Sequence, residues 1–492
     1  MRRSYDLMVI GAGATGLSAA RADGRSVALV EAERPGGDCT FSGCVPSKTL
    51  LETSRRVQAA RSGPSYGFRT EVHVDFPAVM RRVHEVVERI AEDESPDLLA
   101  SEGIALHRGW ARFLGPTEVE VGGGQLRAER VVLALGARAV VPPLEGLVDV
   151  PHLDNQTVFE LTELPEHLLV LGGGSIGCEL SQAFARLGAP VTVVEASDRL
   201  LGKEEPEASA VLEAVLRRDG VDVRTGAEVE RVSRSGDVTT LHLRGGATVT
   251  GSHLLVVVGR APATEGVGLD VAGVRVGEHG EVVTDATLRT TAEHVFAAGD
   301  CTSPLQLTHV GDAQGRLAAG NAFAQTRLPG LVGGPKDWDA SVIPWVTFTE
   351  PEIGRVGLSE AQAYADHGSR ARVSLVPLCR TDRARAAGDT AGFVKVIAAP
   401  RPVLRSKLLD QLVGMTAVGP VGGELVAEAA LAMQLGTFAG RIAQTVHAYP
   451  THSLATRLAV SRLFGSYAGG KARPAREHPD PAELRAALGD AG

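Results

Sequence analysis

The 492-residue sequence has no apolar run approaching the roughly 18 residues that a membrane span requires. It has no excess of positive charge either. Its 50 Lys and Arg stand against 59 Asp and Glu, a net charge of -9, which argues against a nucleic-acid or anionic-membrane surface as partner. Cysteine is scarce, at positions 39, 44, 178, 301 and 379, and the spacing is too irregular for the disulfide framework of a small secreted domain. The opening stretch MRRSYDLMVIGAGATG pairs arginines with an apolar run, as a signal peptide does. That run is short and flows straight into a glycine turn, so a first strand is expected instead. These absences leave a soluble protein, expected in the cytoplasm, in which any disulfide would be catalytic. The chain is too long for one core and is expected to form two to four domains.

What is present begins with glycine. Residues 5–10 read as a short apolar strand, followed by GAGATG at 11–16, an alanine-rich helix and a second strand, VALVE. Gly11 would allow the tight turn, Gly13 the approach of backbone to a pyrophosphate, and Gly16 the packing of helix on strand. The helix N-terminus offers free N–H groups to phosphate. Glu31 ends the second strand, where a carboxylate should hold ribose hydroxyls. The pattern returns in LLVLGGGSIGCELSQAFARLGAPVTVVEA, with Gly172, Gly174, Gly177 and the acid Glu195. Two such units imply two dinucleotides, and a chain that binds two is most simply an electron-transfer enzyme. The acid follows the first glycine by 20 residues in one unit and 23 in the other, so the first helix is expected to be about one turn shorter.

Just beyond the first unit, GGDCTFSGCVPSK at 36–48 holds Cys39 and Cys44. On a regular helix, residues five apart have Cα atoms about 8.6 Å apart, whereas a disulfide needs less than about 7 Å. A bond between them therefore requires irregular backbone, and Gly43 and Pro46 fit a helix that starts distorted. Cys44 would then sit near a helix N-terminus, where the dipole favours thiolate. A zinc site would want further Cys or His close by, and none follow; no metal site is expected. Two structural thiols remain an alternative to a working disulfide.

GGDCTFSGCVPSK resembles the redox-active segment of the class I pyridine nucleotide–disulfide oxidoreductases, a family that includes dihydrolipoyl dehydrogenase, glutathione reductase and mercuric reductase. The resemblance runs through nearly the whole chain. TTAEHVFAAGDCT is similar to the family's second FAD motif, with Asp300 at the ribityl-binding position. VVVGRAPAT, with Gly259, is similar to the return from the nicotinamide domain, and IPWVTFTEPEIGRVGLSE and GMTAVGPVGGELV to the dimerisation domain. The resemblance implies FAD and NADH as cofactors, with NADPH possible, and electrons passing from NADH through FAD to a Cys39–Cys44 disulfide. Cys44 would be the thiolate beside the flavin and Cys39 the thiol that meets the acceptor. Lys48 would lie beside the flavin and pair with Glu179, and Ala111 and Thr308 join the expected cofactor contacts. Cys178, Cys301 and Cys379 match no catalytic position and are taken as structural.

The sequence departs from the pattern at its C-terminal end. Relatives carry a His-Pro-Thr segment with a Glu five residues after the His, and this dyad reaches the partner subunit's dithiol substrate as a base. Here the stretch is TVHAYPTHSLATRL, with Tyr449 and Leu454 at those places. Tyrosine, with an ordinary pKa near 10, is a poor base at neutral pH; His447 and His452 stand at the wrong offsets. A tyrosine here resembles the mercuric reductase branch, and GGDCT and RTDRARAAGDTAGFVKV look closest to it. That branch captures its metal with a C-terminal cysteine pair, whereas the last cysteine here is Cys379.

The expected fold is α/β, with two Rossmann-like dinucleotide-binding domains and a C-terminal α+β dimerisation domain. The FAD domain is expected over 1–148 and 276–338, the NAD(P) domain over 149–275, the dimerisation domain over 339–468, and a polar tail over 469–492. Within the tail, DPAELRAAL predicts a short helix with Asp480 as its N-cap and Pro481 in its first turn. The expected activity is that of a homodimeric NAD(P)H oxidoreductase, its active site shared between subunits, reducing a small-molecule or ionic acceptor. Direct reduction of quinones or metal ions from the flavin is the alternative, and a catalytically idle FAD-bound regulatory protein is a third reading.

Overall fold

The structure is a computed structural model that describes residues 3–21, 24–302, 305–324, 334–400 and 410–489. The first unit opens with β1 (Arg3–Ile10), α1 (Ala14–Ala20) and β2 (Val27–Glu31). Around them forms a seven-stranded sheet. Its order runs Ile104–Arg108, β2, β1, Gly124–Leu133, Glu118–Val121, Ala111–Gly115, and Val295–Ala297 also pairs with Gly124–Leu133. The strands around β1 are parallel. Leu7, Met8, Val9, Val27, Ala28 and Leu29 are all buried, as expected for parallel strands covered on both faces.

The second unit repeats the design on a four-stranded parallel sheet, Val221–Arg224, Val191–Val194, Leu168–Leu171 and His253–Val256, with helix Ser175–Leu187 after its glycine turn. The chain returns through Arg260–Pro262, which pairs with Ala137–Ala139. Val267, Leu269 and Val274 then pack in the core of the first sheet. A six-stranded antiparallel sheet follows, in the order Pro344–Thr347, Glu352–Gly357, Gln411–Gly419, Phe393–Ala399, Arg372–Pro377, Arg473–Pro474. Helix Gly422–Gln434 contributes Leu425, Val426 and Ala429 to its core. This is the expected α/β architecture, two Rossmann-like units and a C-terminal α+β unit.

The helix-length expectation needs correction. α1 has seven residues and its counterpart Ser175–Leu187 thirteen, a difference of six and so nearer two turns than one. The connection to the next strand is longer in the first unit, 21–26 against 188–190, and returns three of those six residues. The tail helix forms as expected: Pro481–Leu488 is capped by Asp480, whose carboxylate accepts from Ala482 N–H. The tail is not merely polar, because Ala475 and Ala487 are buried in apolar clusters. Among the described residues, no helix is long and apolar enough to cross a membrane.

Candidate active site

The two glycine turns are near copies, and each glycine answers a different steric demand. Gly11 and Gly172 have φ of +100° and +114°, and a Cβ there would lie 2.2 Å from Ala134 O and 2.6 Å from Val257 O. A Cβ on Gly16 or Gly177 would lie 1.8 Å from Gly11 O or 2.0 Å from Gly172 O, so only glycine lets the helix pass so close behind the turn. Gly13 and Gly174 are different. The nearest atom to a Cβ on Gly13 is 3.9 Å away, and none lies within 4 Å at Gly174. Both cap their helices in extended conformation and leave open space in front of the helix N-terminus.

The acids are tied to the turns in the same way. Glu31 Oε2 accepts from Ala12 N–H at 2.7 Å and Oε1 from Glu33 N–H at 2.9 Å. Glu195 Oε2 accepts from Gly173 N–H at 2.6 Å and Oε1 from Ser197 N–H at 2.7 Å. Arg199, four residues beyond Glu195, is held by Gly202 O, Glu204 O and Ser209 Oγ at 2.7, 2.8 and 3.1 Å.

The cysteines lie on two separate helices, with irregular backbone between them and Cys44 at the N-terminus of the second, as expected. Cys39 is in α2 (Gly37–Phe41) and Cys44 is the first residue of α3 (Cys44–Arg61). The break falls at Ser42 and Gly43, where a Cβ on Gly43 would lie 2.7 Å from Asp38 O. Both cysteines are free thiols in this structure. A hydrogen bond from Cys39, then Thr308 and the Lys48 charge, lowers Cys44 to about 6 against the opposing effect of burial. The same bond, followed by burial, pushes Cys39 up. These shifts describe one shared proton: near neutral pH the reduced pair carries its negative charge on Cys44.

Residues from distant parts of the chain converge on that thiolate. Thr308, which begins helix Thr308–Ala322, places Oγ1 3.3 Å from Cys44 Sγ. Lys48 Nζ donates to Glu179 Oε2 at 2.8 Å and lies 4.4 Å from the centre of the Phe348 ring. The other oxygen of Glu179 accepts from Phe348 N–H at 2.8 Å, so the carboxylate that holds Lys48 is itself fixed. Glu179 is buried on the helix of the second glycine unit.

The sequence did not single out Asp38, Gln156 or Arg260, which join the same region. Asp38 accepts from Gln156 Nε2 at 2.9 Å and from Arg260 at 2.7 Å, and Arg260 stands 3.7 Å from Asp300. Burial raises the Asp300 carboxyl against the pull of Arg260. The available signals were a charged residue inside a cysteine motif and another beside the turn glycine Gly259. No spacing rule links positions so far apart.

A continuous cleft of about 3280 Å³ runs past both glycine turns, several times a typical small-ligand pocket. It is lined by Gly11, Gly13, Gly172 and Gly174, both acids, both cysteines, Lys48, Glu179, Ala111, Gly259, Asp300 and Thr308. Gly16 and Gly177 do not line it; they act behind the turns. Tyr449 is also outside it. Tyr449 is 69% exposed and donates to Asp382 Oδ2 at 3.0 Å, which raises the phenol above its ordinary range. Within one chain it is not brought to the cysteines. His447 sits between Thr445 O, 3.0 Å from Nδ1, and the Glu428 carboxylate, 3.1 Å from Nε2, so acceptors face both ring nitrogens. Burial lowers His452. Cys178 and Cys301 are buried and Cys379 is half-buried.

The cleft fits two dinucleotides: each turn leaves open space before a helix N-terminus, with a fixed carboxylate beside it. The fold and site define a flavin-dependent oxidoreductase that works with a pyridine nucleotide. Residues 5–315 match the family "Pyridine nucleotide-disulphide oxidoreductase" and residues 343–460 its dimerisation domain, so the chain belongs to that family, whose cofactors are FAD and NAD(P)H. It is 37% identical over 478 residues to a mercuric reductase of Streptomyces lividans, covering 94% of this chain and 97% of that one. It is 34% identical over 463 residues to a dihydrolipoyl dehydrogenase of Thermus scotoductus, covering 92% and 95%. Among solved structures, it matches the Cu(II) complex of the HOCl-induced flavoprotein disulfide reductase RclA from Escherichia coli with a TM-score of 0.81 and 28% identity, covering 93% and 99%. LpdA from Mycobacterium tuberculosis gives a TM-score of 0.82 and 29% identity, covering 93% and 99%.

Proposed function

We propose that the protein takes electrons from NADH and delivers them through a Cys39–Cys44 disulfide to a small acceptor, with FAD at the first glycine unit and NADH at the second. The observation that carries this reading is the setting of Cys44. It lies in the cleft that passes both turns, between the Thr308 hydroxyl and the Lys48–Glu179 pair, with its thiol lowered to about 6. Bound FAD supplies two-electron transfer between the nicotinamide and the cysteine pair. Lys48 and Thr308 keep the charge of the reduced pair on Cys44, while Cys39 retains its proton and meets the acceptor. Two electrons and the single shared proton leave the thiol–thiolate pair for the acceptor as the disulfide re-forms.

Glu195, beside the second turn, favours ribose hydroxyls and repels a 2′-phosphate, so NADH is the preferred donor. Arg199 lines the same cleft and keeps its charge while bonded to Gly202 O, Glu204 O and Ser209 Oγ, so it softens this preference. The acceptor is of the kind handled by mercuric reductases or dihydrolipoyl dehydrogenases, in a homodimer whose site is shared between subunits. A second reading, direct transfer from flavin to a quinone or metal ion, is favoured by Tyr449 and Leu454, neither of which supplies a base for a thiol.

The test is an acceptor screen covering lipoamide, glutathione disulfide, mercuric ion and quinones. Turnover is expected with a higher kcat/KM for NADH than for NADPH, and is expected to vanish in Cys44→Ser. Undiminished turnover in Cys44→Ser would favour the second reading, and no turnover with any acceptor would sink both.

A further inference from the structure

The stretch after residue 460 lies beyond the match to the dimerisation domain, yet residues 473–488 are built into the fold outside the lining of the cleft that holds the cysteines. Arg473 pairs across to strand Arg372–Pro377 and reaches both oxygens of Glu360 and both of Glu483. Glu360 also accepts from Arg476 N–H at 2.9 Å and from Lys395 Nζ at 2.8 Å. Lys395, 1% exposed, reaches on to Glu205 and Glu207, both at 3.0 Å. Those two acids cap and begin helix Pro206–Arg218 of the second dinucleotide unit. On the apolar side, Ala487 is fully buried and Leu488 packs beside it, in the cluster that holds Ala208, Val211 and Leu212 of that helix. The Ala487 carbonyl accepts from Gly392 N–H at 3.0 Å.

The chain of contacts continues from helix Pro206–Arg218 to the nucleotide turn. Ser209 on that helix accepts from Arg199, whose guanidinium also holds Gly202 O and Glu204 O. In the same loop Leu201 N–H donates to Gly173 O at 2.9 Å, and Gly173 N–H in turn holds Glu195. Lys203 and Glu204 line the cleft. Carboxylate oxygens of Glu207, Glu360 and Glu483 lie within 4.8 Å of one another, a spacing that would suit a cation. The Lys395 ammonium and the Arg473 guanidinium already stand among them, so the cluster is a cross-brace made of protein charges. A chain of packed, hydrogen-bonded groups is the physical means by which one place can set the geometry of another.

We propose that residues 473–488 form a strap that holds helix Pro206–Arg218 in place, and through the Arg199 loop the Glu195 turn. Arg473 is thus a positioning residue for the pyridine nucleotide. This rests on the reading that NADH binds at the second glycine unit. The test titrates NAD⁺ calorimetrically into the oxidised, FAD-loaded full-length protein and measures steady-state kinetics with NADH. Arg473→Ala is expected to raise the NAD⁺ Kd by about 3- to 30-fold and to raise the KM for NADH with little change in kcat. Glu483→Gln, at the more exposed end of the brace, should give a smaller rise, and Arg473→Lys should recover part of the loss. The pH profile of Cys44 alkylation should not move in any of them. Unchanged Kd in Arg473→Ala and Glu483→Gln, with native circular dichroism, would overturn the proposal. So would a rise in Kd accompanied by loss of FAD and a displaced Cys44 profile, which would mark general loosening. Gly174→Asp serves as reference, since it puts a carboxylate in front of the second turn. If it too left the Kd unchanged, the site reading itself would fail, and the strap with it.

Discussion

At Cys44 the decisive quantity is where the thiol proton resides. The bond donated by Cys39 is the largest influence, ahead of Thr308 and Lys48 among the groups that lower the pKa. Alkylation of Cys44 in the reduced protein, followed by mass spectrometry of its peptide, should therefore give an apparent pKa of about 6, well below the roughly 8.5 of an ordinary thiol. Because the folded value is depressed, reactivity is lost as pH falls through it. Cys39→Ala should move the profile upward, and Lys48→Met should move it upward by less. A profile that stays put in Cys39→Ala would mean that the shared proton is not the main cause. At this scale the sequence was readable where chemistry and spacing coincide in one short stretch, as in GGDCTFSGCVPSK. The Lys48–Glu179 pair, 131 positions apart, was readable through family resemblance alone. Asp38 with Arg260 was not readable, because an ion pair across 222 positions leaves no local pattern.

Among the elements, the glycine turns were the most legible, because their demands are steric and local: a positive φ, an open cap and a close passage recur at fixed offsets. Those demands separate by experiment. Gly177→Ala puts a methyl 2.0 Å from Gly172 O, and overpacking of this kind costs about 1–3 kcal/mol. Its melting temperature should fall by several degrees. Gly174→Ala meets no atom within 4 Å, so its melting temperature should stay close to that of the parent. It should nonetheless bind NAD⁺ more weakly, because its methyl stands where the ligand's phosphates approach. A larger melting loss at Gly174 than at Gly177 would contradict this division. Helix length was misjudged by about one turn, because the acid-to-glycine count sums helix and connection and cannot apportion residues between them. The tail helix was legible from its cap, Asp480 followed by Pro481. Its docking was not, since that depends on Arg473 meeting Glu360, 113 positions earlier, and on Ala487 joining a cluster with Ala208 and Val211 of a distant helix.

For the whole molecule, the question is which acceptors the proposed site can serve. Tyr449 is displayed on the surface of the third unit, with its phenol raised above the ordinary range by the Asp382 carboxylate, so even less of it is ionised at neutral pH than of a free tyrosine. A positioned general base contributes about 10²–10⁴-fold to proton removal. Turnover of dihydrolipoamide should therefore be slow at pH 7 and rise towards alkaline pH, and Tyr449→His with Leu454→Glu should raise it. Fast turnover by the unaltered protein at pH 7 would point to another base. The arrangement of the two acids has a different consequence. Glu31 and Glu195 each accept from two backbone N–H groups of their own turns and loops. The loops are thus pre-organised, and little ordering entropy is left for the ligands to offset. With the cofactors placed as proposed, discrimination between nucleotides falls to charge and fit at the ribose beside each fixed carboxylate.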